Sequence, residues 1–129
     1  MDLSAEHRQR LRDLGVSLLY LFGSYAEGVA TPLSDVDVGV VFAGEPPSRS
    51  AAYQPLYELA TELFPDQTID LVFLQQAPLE LQGDVVRHGT VLYERTPGDD
   101  ATFAEQTMIA CADFAPLLRE MDRTILDRT

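Results

Sequence analysis

Apolar residues along this chain fall into two kinds of pattern, short continuous runs and longer stretches of helical spacing, which alternate from one end to the other. Val16 to Phe22 and Val36 to Phe42 are apolar runs of strand length and strand composition, the first stopping at a Gly-Ser turn. A third run, Thr68 to Leu74, reads the same way except that Asp70 interrupts it. Helical spacing appears at Leu56, Leu59, Ala60, Leu63 and Phe64, which predicts a crossover helix with Pro55 in its first turn or at a break. Ser4 is a candidate N-cap for a first helix ending near Gly15, and Gly44 to Ser48 reads as a loop. Leu79 to His88 predicts a short helix closed by Gly89, followed by an edge strand at Val91 to Tyr93.

The last segment is the most periodic. Phe103, Thr107, Ala110, Cys111, Phe114, Leu117, Leu118, Met121 and Ile125 form one stripe of a long helix, with Asp99 or Asp100 as its cap and Pro116 disturbing a hydrogen bond inside it. Such a stripe is core first; a second reading makes part of it a docking face for a partner or a second copy. The whole is an alternating α/β chain without internal repeats, expected to form one domain over residues 1–129.

Composition narrows the function classes. Hydrophobic content of 46% with a mean hydropathy of -0.05 suits a globular protein with a real core. Every long apolar run is interrupted, and the N-terminus shows neither a basic segment nor an apolar stretch of signal-peptide type, so neither secretion nor membrane spanning is expected. Cys111 is the single cysteine, which suits a reducing cytoplasm. The formal charge of -12 argues against unaided binding to a nucleic-acid backbone and favours a basic protein partner. All nine basic residues are Arg, and their one dense cluster, Arg8, Arg10 and Arg12, reads as a solvated helix face. His7 and His88 lack metal-ligand spacing and are expected in solvated or helix-terminal roles.

The chemistry concentrates around the first two strands. Glycine at position 23 lets the backbone approach a ligand closely, and a helix opening at Ser24 would aim its hydroxyl and free amides at one anion. Asp35 and Asp37, two residues apart at the start of the next strand, project from the same face. Carboxylates that close repel unless a cation or a proton intervenes, and magnesium, with its preference for oxygen ligands and substrate phosphates, is the natural partner. Asp70, an otherwise costly charge in an apolar strand, would complete a cluster of three and accept a proton from an attacking hydroxyl.

With Gly23, Ser24, Asp35, Asp37 and Asp70 in this order, the chain resembles the minimal nucleotidyltransferases of the DNA polymerase beta-like superfamily. The resemblance implies a small mixed sheet with flanking helices and a long C-terminal helix. It implies that Gly23 and Ser24 bind the triphosphate of ATP, that Asp35 and Asp37 hold Mg2+, and that Asp70 is the third catalytic and metal-binding carboxylate. Small members of this family are antitoxins paired with a helical HEPN-type ribonuclease toxin, onto whose tyrosine they transfer AMP, so the same activity and partner are expected here. One position departs: Glu27 stands where members often carry Arg, and its charge opposes a triphosphate. Two other classes share these features. A binding module could neutralise a toxin by covering it, with a decayed nucleotide site, and a small-molecule nucleotidyltransferase of the antibiotic-modifying kind would use the same carboxylates. The acceptor, the nucleotide preference and the number of subunits are not written in the sequence.

Overall fold

The computed structural model describes residues 3–23 and 35–127, and for residues 114–127 the backbone alone. Its elements, in chain order, are α1 (Ala5–Asp13), β1 (Val16–Phe22), β2 (Val36–Phe42), α2 (Arg49–Leu63), β3 (Ile69–Phe73), a 3-10 turn (Leu74–Gln76), α3 (Leu79–His88), β4 (Thr90–Glu94) and α4 (Asp99–Asp127). The strands form one sheet in the order β3-β2-β1-β4. β1 is antiparallel to both β2 and β4, whereas β2 and β3 run parallel, the arrangement that requires the α2 crossover.

Strand alternation sorts the side chains onto two faces. Val36, Val38, Val40 and Phe42 of β2 share one core with Ile69, Leu71 and Phe73 of β3, and this face is covered by Leu11 of α1 and by Ala52, Leu56, Leu59 and Ala60 of α2. On the other face Leu18, Tyr20, Val41 and Leu74 pack with Val85 of α3, with Phe103 of α4 against them. The result is a helix–sheet–helix sandwich, the small mixed sheet with flanking helices expected from the sequence.

Local signals explain most boundaries. Ser4 caps α1 by accepting from the His7 amide at 3.1 Å, and Gly15 follows the helix at φ +79, the left-handed conformation that glycine adopts most cheaply. The predicted position of Pro55 is corrected: it lies inside α2, not in its first turn or at a break. The helix survives the missing amide because the turn before it is anchored independently. The amides of Ala51 and Ala52 both donate to Ser48 O, and the Arg49 guanidinium stacks over the rings of Tyr53 and Phe73 at 5.1 and 5.2 Å. The start of α4 is also corrected. Asp99 and Asp100 do not cap it with their own carboxylates; Glu94 Oε2 accepts from the Asp100 amide at 2.9 Å, which frees Asp100 Oδ1 to accept from the Tyr20 hydroxyl at 2.6 Å. Burial of its ring and the neighbouring Asp100 charge both raise the pKa of that hydroxyl, so it stays a donor. Of the expected α4 stripe, Thr107 is buried and Phe103, Ala110 and Cys111 are half-buried, while Met108 and Ile109 beside it are exposed. The part of the stripe from Phe114 onward lies outside the described side chains. Among the described residues, no helix is long and apolar enough to cross a membrane.

Candidate active site

β1 and β2 deliver the site because their register sets Phe22 directly opposite Asp37. The chain leaving β1 therefore passes Asp37 at Gly23, which adopts φ +74. A Cβ built on Gly23 would collide with Asp37 Oδ2, so backbone and carboxylate meet here only because the side chain is absent. Gly23 and Asp37, read from separate stretches of the sequence, thus lie against one another.

β3 supplies the third group. In the parallel β2–β3 pair Asp37 lies beside Asp70, and both point to the face that carries Val41 and Leu74. Asp35 immediately precedes β2 and adds its field. Asp35 and Asp70 are exposed and Asp37 is half-buried. Burial, followed by the Asp70 charge, a hydrogen bond to Asp70 and the Asp35 charge, pushes the Asp37 carboxyl up to about 6. In that hydrogen bond the protonated Asp37 donates and Asp70 accepts.

The structure thus brings Gly23, Asp35, Asp37 and Asp70 to one end of the sheet. Ser24 and Glu27 lie outside the described residues. His7 is turned away, bonded through Nδ1 to Ser4 Oγ at 2.9 Å and set 3.5 Å from Glu62, and His88 ends α3 exposed. Arg10 pairs with Glu62 at 2.8 Å, in keeping with a solvated helix face.

The donor set can be tested against a divalent cation. Among the described residues, no group of three carboxylates, imidazoles or thiols is arranged to hold a metal ion, and no Arg or His forms an ion pair with Asp35, Asp37 or Asp70. The raised Asp37 carboxyl reflects its burial first and the Asp70 and Asp35 charges after it. The described donors on Asp35, Asp37 and Asp70 are all oxygens, the ligand type of hard divalent cations such as magnesium, which keeps several waters and takes further oxygens from substrate phosphates.

Sequence reasoning missed Gly39. It sits on the same face of β2 between Asp37 and Val41, and a Cβ there would come within 2.9 Å of Leu74 Cδ1 and 3.4 Å of the Phe22 ring. Leu74 and Phe22 fill that space and back the acidic edge. A glycine inside a run of valines was the available signal.

Comparison with known proteins shows the family. Residues 9–98 match the family described as Polymerase beta, Nucleotidyltransferase. The chain is 37% identical over 93 residues to the protein adenylyltransferase MntA of Shewanella oneidensis, a match that spans 72% of this chain and 64% of that protein. It superposes with a TM-score of 0.70 and 32% identity on a chain of a toxin-antitoxin crystallised with AMP-PNP, covering 97% of this chain and 98% of that one. A second superposition, with a TM-score of 0.61 and 28% identity over 95% of both chains, is with a structure of tri-AMPylated Shewanella oneidensis HEPN toxin in complex with MNT antitoxin.

Proposed function

Because the chain belongs to the polymerase beta nucleotidyltransferase family, we propose that it is a cytoplasmic antitoxin that transfers AMP from ATP to a tyrosine hydroxyl of a HEPN-type toxin. The reading takes residues 1–129 as one nucleotidyltransferase domain. The observation that carries it is the close approach of Gly23 to Asp37, with Asp70 in register beside it and Asp35 just ahead of the strand, which suits a turn that would bind phosphate next to carboxylates.

In this reading Gly23 and Ser24 bind the triphosphate through backbone amides and the Ser24 hydroxyl, Gly23 permitting the close approach. Asp35 and Asp37, with Asp70 beside them, would hold magnesium, which when bound offsets the negative charge of triphosphate and carboxylates. Asp70, on the exposed side of the pair, is placed to accept the proton of the incoming tyrosine hydroxyl. The phenolic oxygen then forms a bond to the α-phosphorus, the bond from that phosphorus to the β-bridging oxygen breaks, and pyrophosphate leaves. The register supports these roles, since Asp37 and Asp70 are neighbours across one strand spacing.

The experiment is direct. Incubating the protein with the product of the neighbouring reading frame, ATP and magnesium should add one or more AMP masses to a tyrosine-containing peptide of that product. Asp70→Asn should slow the transfer by roughly a hundredfold to ten-thousandfold with the fold intact. Toxin neutralisation that persists in full without nucleotide, with no mass gain, would replace the enzymatic reading by one of simple covering.

A further inference from the structure

Asp37, Gly39 and Val41 lie on one face of β2, and the register of the sheet extends them into rows across three strands. The end row runs Phe22, Asp37, Asp70, and the row behind it runs Tyr20, Gly39, Val72. The end row carries the carboxylates; the row behind has no side chain at its centre.

That gap is filled from two sides. A Cβ on Gly39 would stand 2.9 Å from Leu74 Cδ1, 3.1 Å from Leu74 Cγ and 3.4 Å from Phe22 Cε1. The Phe22 ring thus leans back from the end row over Gly39, and Leu74 reaches the same spot from the turn after β3. Backbone conformation gives no other reason for glycine here, because Gly39 sits inside a regular strand and is not one of the glycines at positive φ.

The surroundings differ in how far they can yield. Leu74 is 0% exposed. Tyr20, which pairs with Gly39 across the sheet, is 1% exposed and tied through its hydroxyl to Asp100 Oδ1 at 2.6 Å. Phe22 is only half-buried, at the end of β1. Extra volume at position 39 is therefore relieved through the Phe22 ring, since a close-packed interior passes strain toward the side that has room. Phe22 is bonded directly to Gly23, whose backbone passes so near Asp37 Oδ2 that no Cβ fits between them. A displacement of the ring by a few tenths of an ångström thus reaches the contact between Gly23 and Asp37.

We propose that Gly39 is a positioning residue for nucleotide binding: by leaving room for the Phe22 ring it fixes the path of the chain into Gly23 and so holds the Gly23 backbone against Asp37. The consequence for ATP rests on the nucleotidyl-transfer reading above, whereas the mechanical link from position 39 to Gly23 does not.

The test is Gly39→Ala, read first in the protein free of nucleotide and metal. Its Gly23 amide should shift in 15N spectra, and in Gly39→Ala combined with Phe22→Leu it should return to the position it has in Phe22→Leu alone. Calorimetry with ATP and magnesium should show affinity weakened about tenfold by Gly39→Ala, and in the double variant restored to within about twofold of Phe22→Leu. In transfer kinetics the KM for ATP should rise while the KM for the acceptor protein holds. A merely destabilised protein loses active fraction instead, which lowers the apparent kcat and leaves both KM values unchanged. An unmoved Gly23 amide, an unchanged ATP affinity, or a loss that Phe22→Leu does not relieve would overturn the proposal. A wild type that binds no ATP would overturn the nucleotide role together with the reading it rests on, whereas a shifted Gly23 amide would still establish the link. If Gly39→Ala does not fold, Phe22→Ala decides: with the ring gone from its place over Gly39, ATP affinity should fall by a similar factor in an intact fold, and wild-type affinity would refute the positioning role.

Discussion

Replacing Asp37 by Asn should make the metal-free protein more stable at neutral pH while abolishing transfer. Asp37 is crowded by Asp70 and Asp35 and half-buried, and its carboxyl is raised from 3.8 to about 6. The native state therefore keeps a proton that the unfolded chain releases, so stability falls as pH rises from about 4 to about 6 and stays lost above that. At ~1.4 kcal/mol for each pH unit of displacement, the upper bound on the loss is about 3 kcal/mol. Much of the group faces solvent, and screening reduces this to about 1–2 kcal/mol. Asn carries no charge, and its amide can still donate to Asp70 as the protonated acid does. Urea denaturation followed by circular dichroism, in chelator, should show the Asn variant more stable by that amount near neutral pH and indistinguishable from wild type below pH ~4. Added magnesium should stabilise the wild type and leave the variant unchanged. A variant that is less stable at neutral pH, or equally stabilised at both pH values, would mean that burial and the like-charged neighbours do not raise the Asp37 carboxyl.

Two further substitutions probe the supports of the site. Gly23→Ala forces a side chain into Asp37 Oδ2 at positive φ and should cost roughly 1–3 kcal/mol together with a loss of ATP affinity by calorimetry; Gly15→Ala, at φ +79 with nothing near it, should cost only about 1 kcal/mol and leave ATP binding alone. Tyr20→Phe removes the hydroxyl that donates to Asp100 and should destabilise by about 1–3 kcal/mol; a double-mutant cycle with Asp100→Ala should be clearly non-additive, and simple additivity would show that the bond does not tie α4 to β1.

How far the sequence reached depends on the range of the interaction involved. β1 and β2 match the runs Val16 to Phe22 and Val36 to Phe42, and α3 matches Leu79 to His88, because burial on a strand or helix face requires a period that neighbouring residues express directly. Ser4 and Gly15 announced the ends of α1 for the same reason: capping is satisfied within a few residues. The acids Asp35 and Asp37 were legible as a pair since two residues of strand necessarily set them on one face.

The remaining decisions were made at long range. Arg49, in the turn before Pro55, lies over the ring of Phe73, a residue of a strand far along the chain, and α4 begins with a cap from Glu94 of β4, leaving Asp100 for Tyr20 of β1. Neither exchange leaves a trace in local spacing. Asp70 could be suspected as a lone charge in an apolar run, yet only the parallel register of β3 on β2 sets it beside Asp37, and a slip of one residue would have turned it to the opposite face. The sequence by itself determined which residues form strands and helices and which of them carry charge, since those follow from neighbours along the chain. The tertiary structure alone decided which charges share a field, because strand pairing brings together groups more than thirty residues apart, and the raised Asp37 carboxyl belongs to that assembly and to no segment of it.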